Sequence, residues 1–200
     1  MLVVVGGHTR NIGKTSVVAE LITNLRDRNW TAVKITQYGH GVCSTHDSGT
    51  CGCEAGEESA FALSEEYEPS RTDSGRFLAA GAARSFWLRT PMGELAQAAE
   101  TVSKIVAQSP NVIIESNSVM EIVLPDLFLM VLDPASEDFK PTSLRFMQRV
   151  HAFLLIDRGE SVPSWKHLAD GLWDGKPQFL VQPPPYVPAP VAQFVKERVR

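Results

Sequence analysis

The stretch Val3-Val4-Val5-Gly6-Gly7-His8-Thr9-Arg10-Asn11-Ile12-Gly13-Lys14-Thr15-Ser16 decides the fold of this 200-residue chain. The apolar run Leu2–Val5 leads into two glycines, a short polar loop and then Gly13-Lys14-Thr15. An apolar stripe at helical spacing follows, made of Val17, Val18, Leu21, Ile22 and Leu25. The order is therefore buried strand, loop, amphipathic helix over 14–28. Backbone N–H groups at a helix start point outward and carry partial positive charge, which suits a phosphate. In such a phosphate-binding loop (P-loop) Lys14 reaches the β- and γ-phosphates of a nucleotide, and the Thr15 hydroxyl meets Mg²⁺. Arg10, Asn11, Ile12, Gly13, Lys14, Thr15 and Ser16 are the expected nucleotide-binding residues. The pattern departs at one place. A glycine usually stands five residues before the Gly-Lys pair, where this chain has His8, and Gly7 and Gly6 come one and two places early. Either the loop carries an extra residue or position 8 accepts a side chain. The alternative for the whole stretch is a Gly-rich turn before an ordinary helix, with Lys14 a surface charge.

Working outward, Ala32–Thr36 reads as a second strand, which completes a right-handed βαβ unit. Further strands are expected at Ser85–Arg89, Asn111–Glu115, Leu127–Leu132, Ala152–Ile156 and Phe179–Val181. Helices are expected at Ser74–Ala83, Gly93–Ala107, Thr142–Val150, Ser164–Trp173 (with Ser164 as N-cap) and Val191–Arg198. Strands alternating with helices specify a three-layer α/β, P-loop NTPase-like fold with a largely parallel sheet flanked by helices. Ligands of such sheets sit at the carboxyl ends of the strands. One domain spans residues 1–200. Within it, 37–72 is an irregular Cys-containing insertion, in which Glu57–Glu66 permits a helix, and 183–200 is a Pro-rich connector plus terminal helix. Trp30, Trp87, Trp165 and Trp173 read as packing residues, and Arg71, Arg76, Arg84 and Arg89 as solvated surface charges. Pro183-Pro184-Pro185-Tyr186 reads as a stiff connector rather than a ligand for WW modules.

A net charge of −4 supplies no global basic field for nucleic acid. No apolar run approaches the roughly 20 residues that span a bilayer, so no membrane partner is expected. The start of the chain lacks the basic and long apolar regions of a signal peptide. All three cysteines lie within Cys43–Cys53, an odd count that suits a reducing compartment, with the cytoplasm as the expected location. His40, Cys43, His46, Cys51 and Cys53 fall within fourteen residues. Cys43, Cys51 and Cys53 with His46 or His40 would supply the four ligands of a closed Zn²⁺ site. Iron–sulfur ligation and a Gly-rich loop that binds nothing are the alternatives.

Glu115 ends the run Val112-Ile113-Ile114. A carboxylate in that place beside a P-loop strand holds Mg²⁺ or orients an attacking water, the alternative being an ordinary solvent-facing strand end. Asp73, read alone, is a helix N-cap.

The chain resembles the molybdopterin-guanine dinucleotide biosynthesis protein B family of P-loop GTP-binding proteins. The resemblance rests on Arg10-Asn11-Ile12-Gly13-Lys14-Thr15-Ser16 with its apolar helix, on Val33-Lys34-Ile35-Thr36 followed by a stretch through His40, on Asp73-Ser74 with Ala79-Ala80-Gly81-Ala82, and on the strand ending at Glu115. It covers roughly residues 1–135. The family typically has Glu-Gly where this chain has Glu115-Ser116, and a shorter segment between Thr36 and Asp73. The resemblance implies GTP rather than ATP, a slow GTPase or accessory role in molybdenum-cofactor maturation, molybdenum-cofactor enzymes as partners and a homodimer. It also makes Asp73 a third Mg²⁺-site residue beside Thr15 and Glu115, so that Lys14, Glu115 and Asp73 form the expected catalytic group. No Asn-Lys-x-Asp guanine signature is present, and Leu155-Ile156-Asp157-Arg158 echoes it only by position. Two other functions fit the same residues. One is a P-loop small-molecule kinase with 37–72 as acceptor-binding lid; the other is a metal-binding adaptor with a vestigial P-loop.

Overall fold

The computed structural model describes residues 1–39, 60–159 and 175–198. In chain order the elements are β1 (Leu2–Gly7), α1 (Lys14–Asn24), β2 (Trp30–Tyr38), β3 (Ala62–Glu66), α2 (Asp73–Ala80), β4 (Arg84–Pro91), α3 (Ala99–Gln108), β5 (Asn111–Glu115), β6 (Leu127–Leu132), α4 (Pro141–Phe146), β7 (Ala152–Ile156), β8 (Gln178–Val181) and α5 (Ala189–Arg198). The strands form one sheet in the order β3-β4-β2-β5-β1-β6-β7-β8. Every neighbouring pair is parallel except β3 with β4. β1 thus lies between β5 and β6, near the middle of the sheet, and all six of its residues are buried.

Alternation along each strand sends successive side chains to opposite faces, and this produces the three layers. Val3, Val5, Ile113 and Leu129 pack with Val17, Val18, Leu21 and Ile22 of α1, Phe77 of α2, and Val191 and Val195 of α5. Val4, Ile114, Phe128 and Met130 pack on the other face with Val102 and Ile105 of α3 and with Phe146 and Met147. Trp30 is buried as expected, and its indole N–H donates to the Leu25 carbonyl at 2.9 Å.

Several of the expected elements change. Where a helix seemed permitted over Glu57–Glu66, Ala62–Glu66 is the edge strand β3, and 57–59 lie outside the described residues. Pairing with β4 overrides the helical preference of Glu and Ala: Leu63 lies opposite Leu88, and the Glu65 carboxylate takes a two-pronged bond from Arg84. The helices expected over 14–28, Gly93–Ala107 and Thr142–Val150 are each divided into an α-helix and a 3₁₀ turn: α1 with Arg26–Arg28, α3 with Leu95–Ala98 and α4 with Met147–Arg149. The helix expected over Ser164–Trp173, with Trp165 and Trp173, falls outside the described residues. Among the described residues no helix is long and apolar enough to cross a membrane.

Candidate functional site

The loop between β1 and α1 sits at the carboxyl end of the central strand. The backbone N–H of His8 donates to the Val131 carbonyl, so pairing with β6 continues past the end of β1. The His8 side chain is wholly buried. Its Nδ1 accepts the Asp133 N–H at 3.4 Å, which leaves Nε2 to donate to the Ser136 carbonyl at 3.2 Å. The ring tilts against Phe139 with centroids 4.6 Å apart. Burial lowers its pKa, so the imidazole is neutral at pH 7. Position 8 therefore accepts a side chain: the ring turns into the β6–α4 connection, and the His8 carbonyl receives the Lys140 N–H and the Ser143 hydroxyl.

Beyond His8, Asn11 and Gly13 take left-handed backbone conformations, with φ of 55° and 92°. Alternating handedness of this kind turns successive N–H groups to one side and makes an anion-binding hollow. Gly7 lets the Lys14 stem lie across the loop, since a Cβ there would sit 2.9 Å from Lys14 Cδ. Lys14 Nζ donates to the Thr9 carbonyl at 2.9 Å. Desolvation, and then the charge of Lys140, pull the Lys14 pKa down to about 8. Gly13 is both left-handed and in contact with Tyr186, whose Cε1 would lie 2.1 Å from an added Cβ. Gly13→Ala is expected to displace either the loop or Tyr186. A left-handed alanine costs about 1–2 kcal/mol before the clash is counted. The expected result is a lower thermal transition together with lost phosphate affinity, read by calorimetry and nucleotide titration.

Four side chains converge beside the loop. Glu115 ends β5 and is 2% exposed. Its Oε2 accepts from Thr15 Oγ1 at 2.8 Å and its Oε1 from Lys34 Nζ at 2.6 Å. The same ammonium lies 2.7 Å from Asp73 Oδ2, and the Thr15 hydroxyl, a single donor, is within reach of Asp73 as well as Glu115. Desolvation alone would raise the Asp73 pKa, but Lys34, Thr15 and Arg76 hold it below the usual carboxylate range. Desolvation likewise opposes the Lys34 charge, and Glu115 and Asp73 outweigh it, so the Lys34 pKa is raised. Asp73 is not the N-cap of its helix. Thr72 takes that place in extended conformation, its hydroxyl accepting the Gly75 N–H at 3.0 Å, and Asp73 at the first helical position is free to meet Lys34.

Two carboxylates and a hydroxyl are hard oxygen donors; the carboxylates bracket the Lys34 ammonium, and the hydroxyl is bonded to Glu115. The donor set fits Mg²⁺ shared with phosphate oxygens. Among the described residues there is no group of three or more His, Cys, Asp or Glu side chains able to hold a metal. His40, Cys43, His46, Cys51 and Cys53 lie outside the described residues.

The structure adds three residues to the site. Lys34 is the single charge in the strand Trp30–Tyr38, and a lone charge in a central strand was the signal available. Asn117 clamps the loop entrance, accepting the Gly7 N–H and donating to the Gly7 carbonyl, each at 2.8 Å. Arg76 is exposed, as expected, and also reaches the loop, donating to Ser16 Oγ at 3.1 Å. The positional echo of a guanine signature is tied up in the structure. Arg158 forks onto Asp133, and Asp157 accepts the Gly159 N–H and the Gln182 amide.

No family model matches the chain, and no curated protein matches it. Among solved structures it is similar to HypB from Helicobacter pylori in complex with nickel, with TM-score 0.53 and 15% identity, over 99% of this chain and 86% of that one. It also matches LpxK from Aquifex aeolicus in complex with ATP, with TM-score 0.46 and 16% identity, over 90% of this chain; it spans about half (53%) of that protein's length. The fold is that of the P-loop NTPases: a mostly parallel eight-stranded sheet with flanking helices.

Proposed function

We propose that this chain binds a Mg²⁺–nucleoside triphosphate, GTP in preference to ATP, and hydrolyses it slowly as an accessory factor in molybdenum-cofactor (molybdopterin guanine dinucleotide) biosynthesis. The observation that carries nucleotide binding is that Thr15, Glu115, Lys34 and Asp73 form one bonded group within electrostatic reach of Lys14. The loop N–H groups and the Lys14 ammonium bind the β- and γ-phosphates. Bound Mg²⁺ supplies positive charge to the phosphate oxygens as negative charge shifts toward the leaving group. Glu115 and Asp73 accept hydrogen bonds from a water and orient it, while Lys34 balances their charge. Catalysis by positioning and electrostatics alone, with both carboxylates already tied to Lys34, is slow. The guanine preference and the molybdenum-cofactor role are supported by the sequence resemblance over roughly residues 1–135.

Calorimetric titration with GTP, GDP and ATP, with and without Mg²⁺, tests this reading. Micromolar, Mg²⁺-dependent binding with a guanine preference is expected. Absence of heat with every nucleotide, on folded protein, would sink it, and equal affinity for ATP would remove the guanine preference. The cofactor role predicts that cells lacking this chain lose the activity of enzymes carrying the dinucleotide form of the cofactor. Undiminished activity there would overturn it.

The Lys14 pKa makes binding depend on pH. Below about pH 8 the ammonium is charged in free protein, and binding takes up no proton there. Above pH 8 free Lys14 is neutral while phosphate contact favours the charged form. Binding then takes up as much as one proton and weakens about tenfold per pH unit. Calorimetry at pH 9 in buffers of different ionisation enthalpy reads the uptake directly.

A further inference from the structure

We propose that the cleft between the phosphate loop and the start of α4 is a second ligand site, for a small organic anion with an apolar body, occupied beside the terminal phosphate of a bound nucleotide. This rests on the nucleotide reading above. The cleft has a volume of about 350 Å³ and is walled by Lys14 and Glu115 on the loop side. Ile35 and Met92, at the carboxyl ends of β2 and β4, form an apolar side, and Arg10 and Lys140 bring further positive charge. That volume is within the range of small-molecule pockets.

Its position separates it from the nucleoside. Lys14 belongs to the β/γ end of the phosphate chain, and Thr15 with Glu115 marks the metal at that same end. Gly13, Ser16 and Tyr186 lie outside the lining, so the cleft opens away from the side on which Tyr186 packs. The charges in the cleft specify the sign of the ligand. Glu115 is bonded to Lys34, while Lys14 and Lys140 bring two ammonium groups to the lining. Lys140 is desolvated and crowded by Arg10, and its pKa is lowered accordingly. The nucleotide phosphates answer Lys14; a second anion is the group that would answer Lys140. Ile35 is nearly buried whereas Met92 is 53% exposed, as suits a side chain that an apolar ligand would cover.

The probe is 8-anilinonaphthalene-1-sulfonate, an apolar ring system with one sulfonate, titrated by fluorescence onto the full chain with and without saturating Mg²⁺–GTP. Saturable binding at one probe per chain, retained with nucleotide present, is expected. Lys140→Gln should weaken it about tenfold, the scale of one charge-assisted contact, and leave GTP affinity within about threefold. Met92→Ser, at a half-exposed position, should weaken it about fivefold and keeps the test open if the first variant does not fold. Probe affinity unchanged in both variants overturns the proposal. So does competitive displacement by nucleotide, which would make the cleft part of the nucleotide's own pocket. Protein that binds no nucleotide yet loses the probe on Lys140→Gln would overturn the nucleotide reading and leave an anion site in the cleft.

Discussion

Lys14→Ala is expected to lower nucleotide affinity by at least about 100-fold while the fold survives. The ammonium crosses the loop over Gly7 and is held there by the Thr9 carbonyl, so in free protein it already stands where terminal phosphates would meet it. Its removal deletes one charge-assisted contact to phosphate in a poorly solvated place, worth about 3 kcal/mol. The free protein should not suffer. Burial has lowered this pKa from 10.5 to about 8, so at pH 7 both states carry the charge but only the folded chain carries it desolvated. Removing it returns about 1–3 kcal/mol, offset in part by lost packing of the stem. The same linkage has a signature in the wild-type chain. Between pH 8 and 10.5 the unfolded state binds more protons at this position, so this group makes stability rise with pH there and has no effect below 8. Thermal unfolding across that window, with nucleotide titration of the variant, checks both halves. Unchanged affinity in a folded Lys14→Ala protein would end the P-loop reading.

Lys34→Met should act in the opposite way, destabilising the free protein while sharpening its response to metal. Methionine keeps most of the stem's volume and removes the ammonium that bridges Glu115 and Asp73. Glu115 is 2% exposed and would be left as a buried carboxylate facing a second one. Breaking a buried pair from one side costs about 3–5 kcal/mol, and the partial exposure of Asp73 brings the expectation to about 2–4 kcal/mol at pH 7. Lys34 is one of the groups that hold the Asp73 pKa below the usual carboxylate range. The deficit should therefore be present at neutral pH and shrink as pH falls and Asp73 protonates, since the stability that a depressed carboxylate pKa contributes is lost there. Mg²⁺ should restore the transition temperature by mass action, because it takes the place the ammonium has left. Denaturant unfolding with and without Mg²⁺, at pH 5 and pH 7, separates these effects. A variant as stable as wild type without metal would show that Lys34 is not the counter-charge of the pair. Adding Glu115→Gln should cost less than the sum of the single changes, since the two residues share one contact.

By itself the sequence determined the frame. Leu2–Val5, Asn111–Glu115, Leu127–Leu132 and Ala152–Ile156 announce buried strands through unbroken apolar runs, and α1 through a stripe at helical spacing. The Gly13-Lys14-Thr15 turn between strand and helix placed the loop, and Glu115 followed from its position at a strand end. These signals are local, each written within a dozen residues by the periodicity of one element or the chemistry of one turn. Tertiary structure alone decided what the loop faces. Lys34 meets Glu115 across 81 residues of chain, and Asn117 closes on Gly7 across 110. Neither pairing leaves a local pattern, because each depends on β5 entering the sheet between β1 and β2. His8 reads either as part of a lengthened loop or as a tolerated side chain until the β6–α4 connection is seen to receive its ring. Glu65 reads as helical until Arg84 is seen across the edge of the sheet. In each case contacts distant in sequence outweigh the preference of the local stretch, since a local preference amounts to tenths of a kcal/mol per residue and a packed or strand-paired stretch gains several such contacts at once.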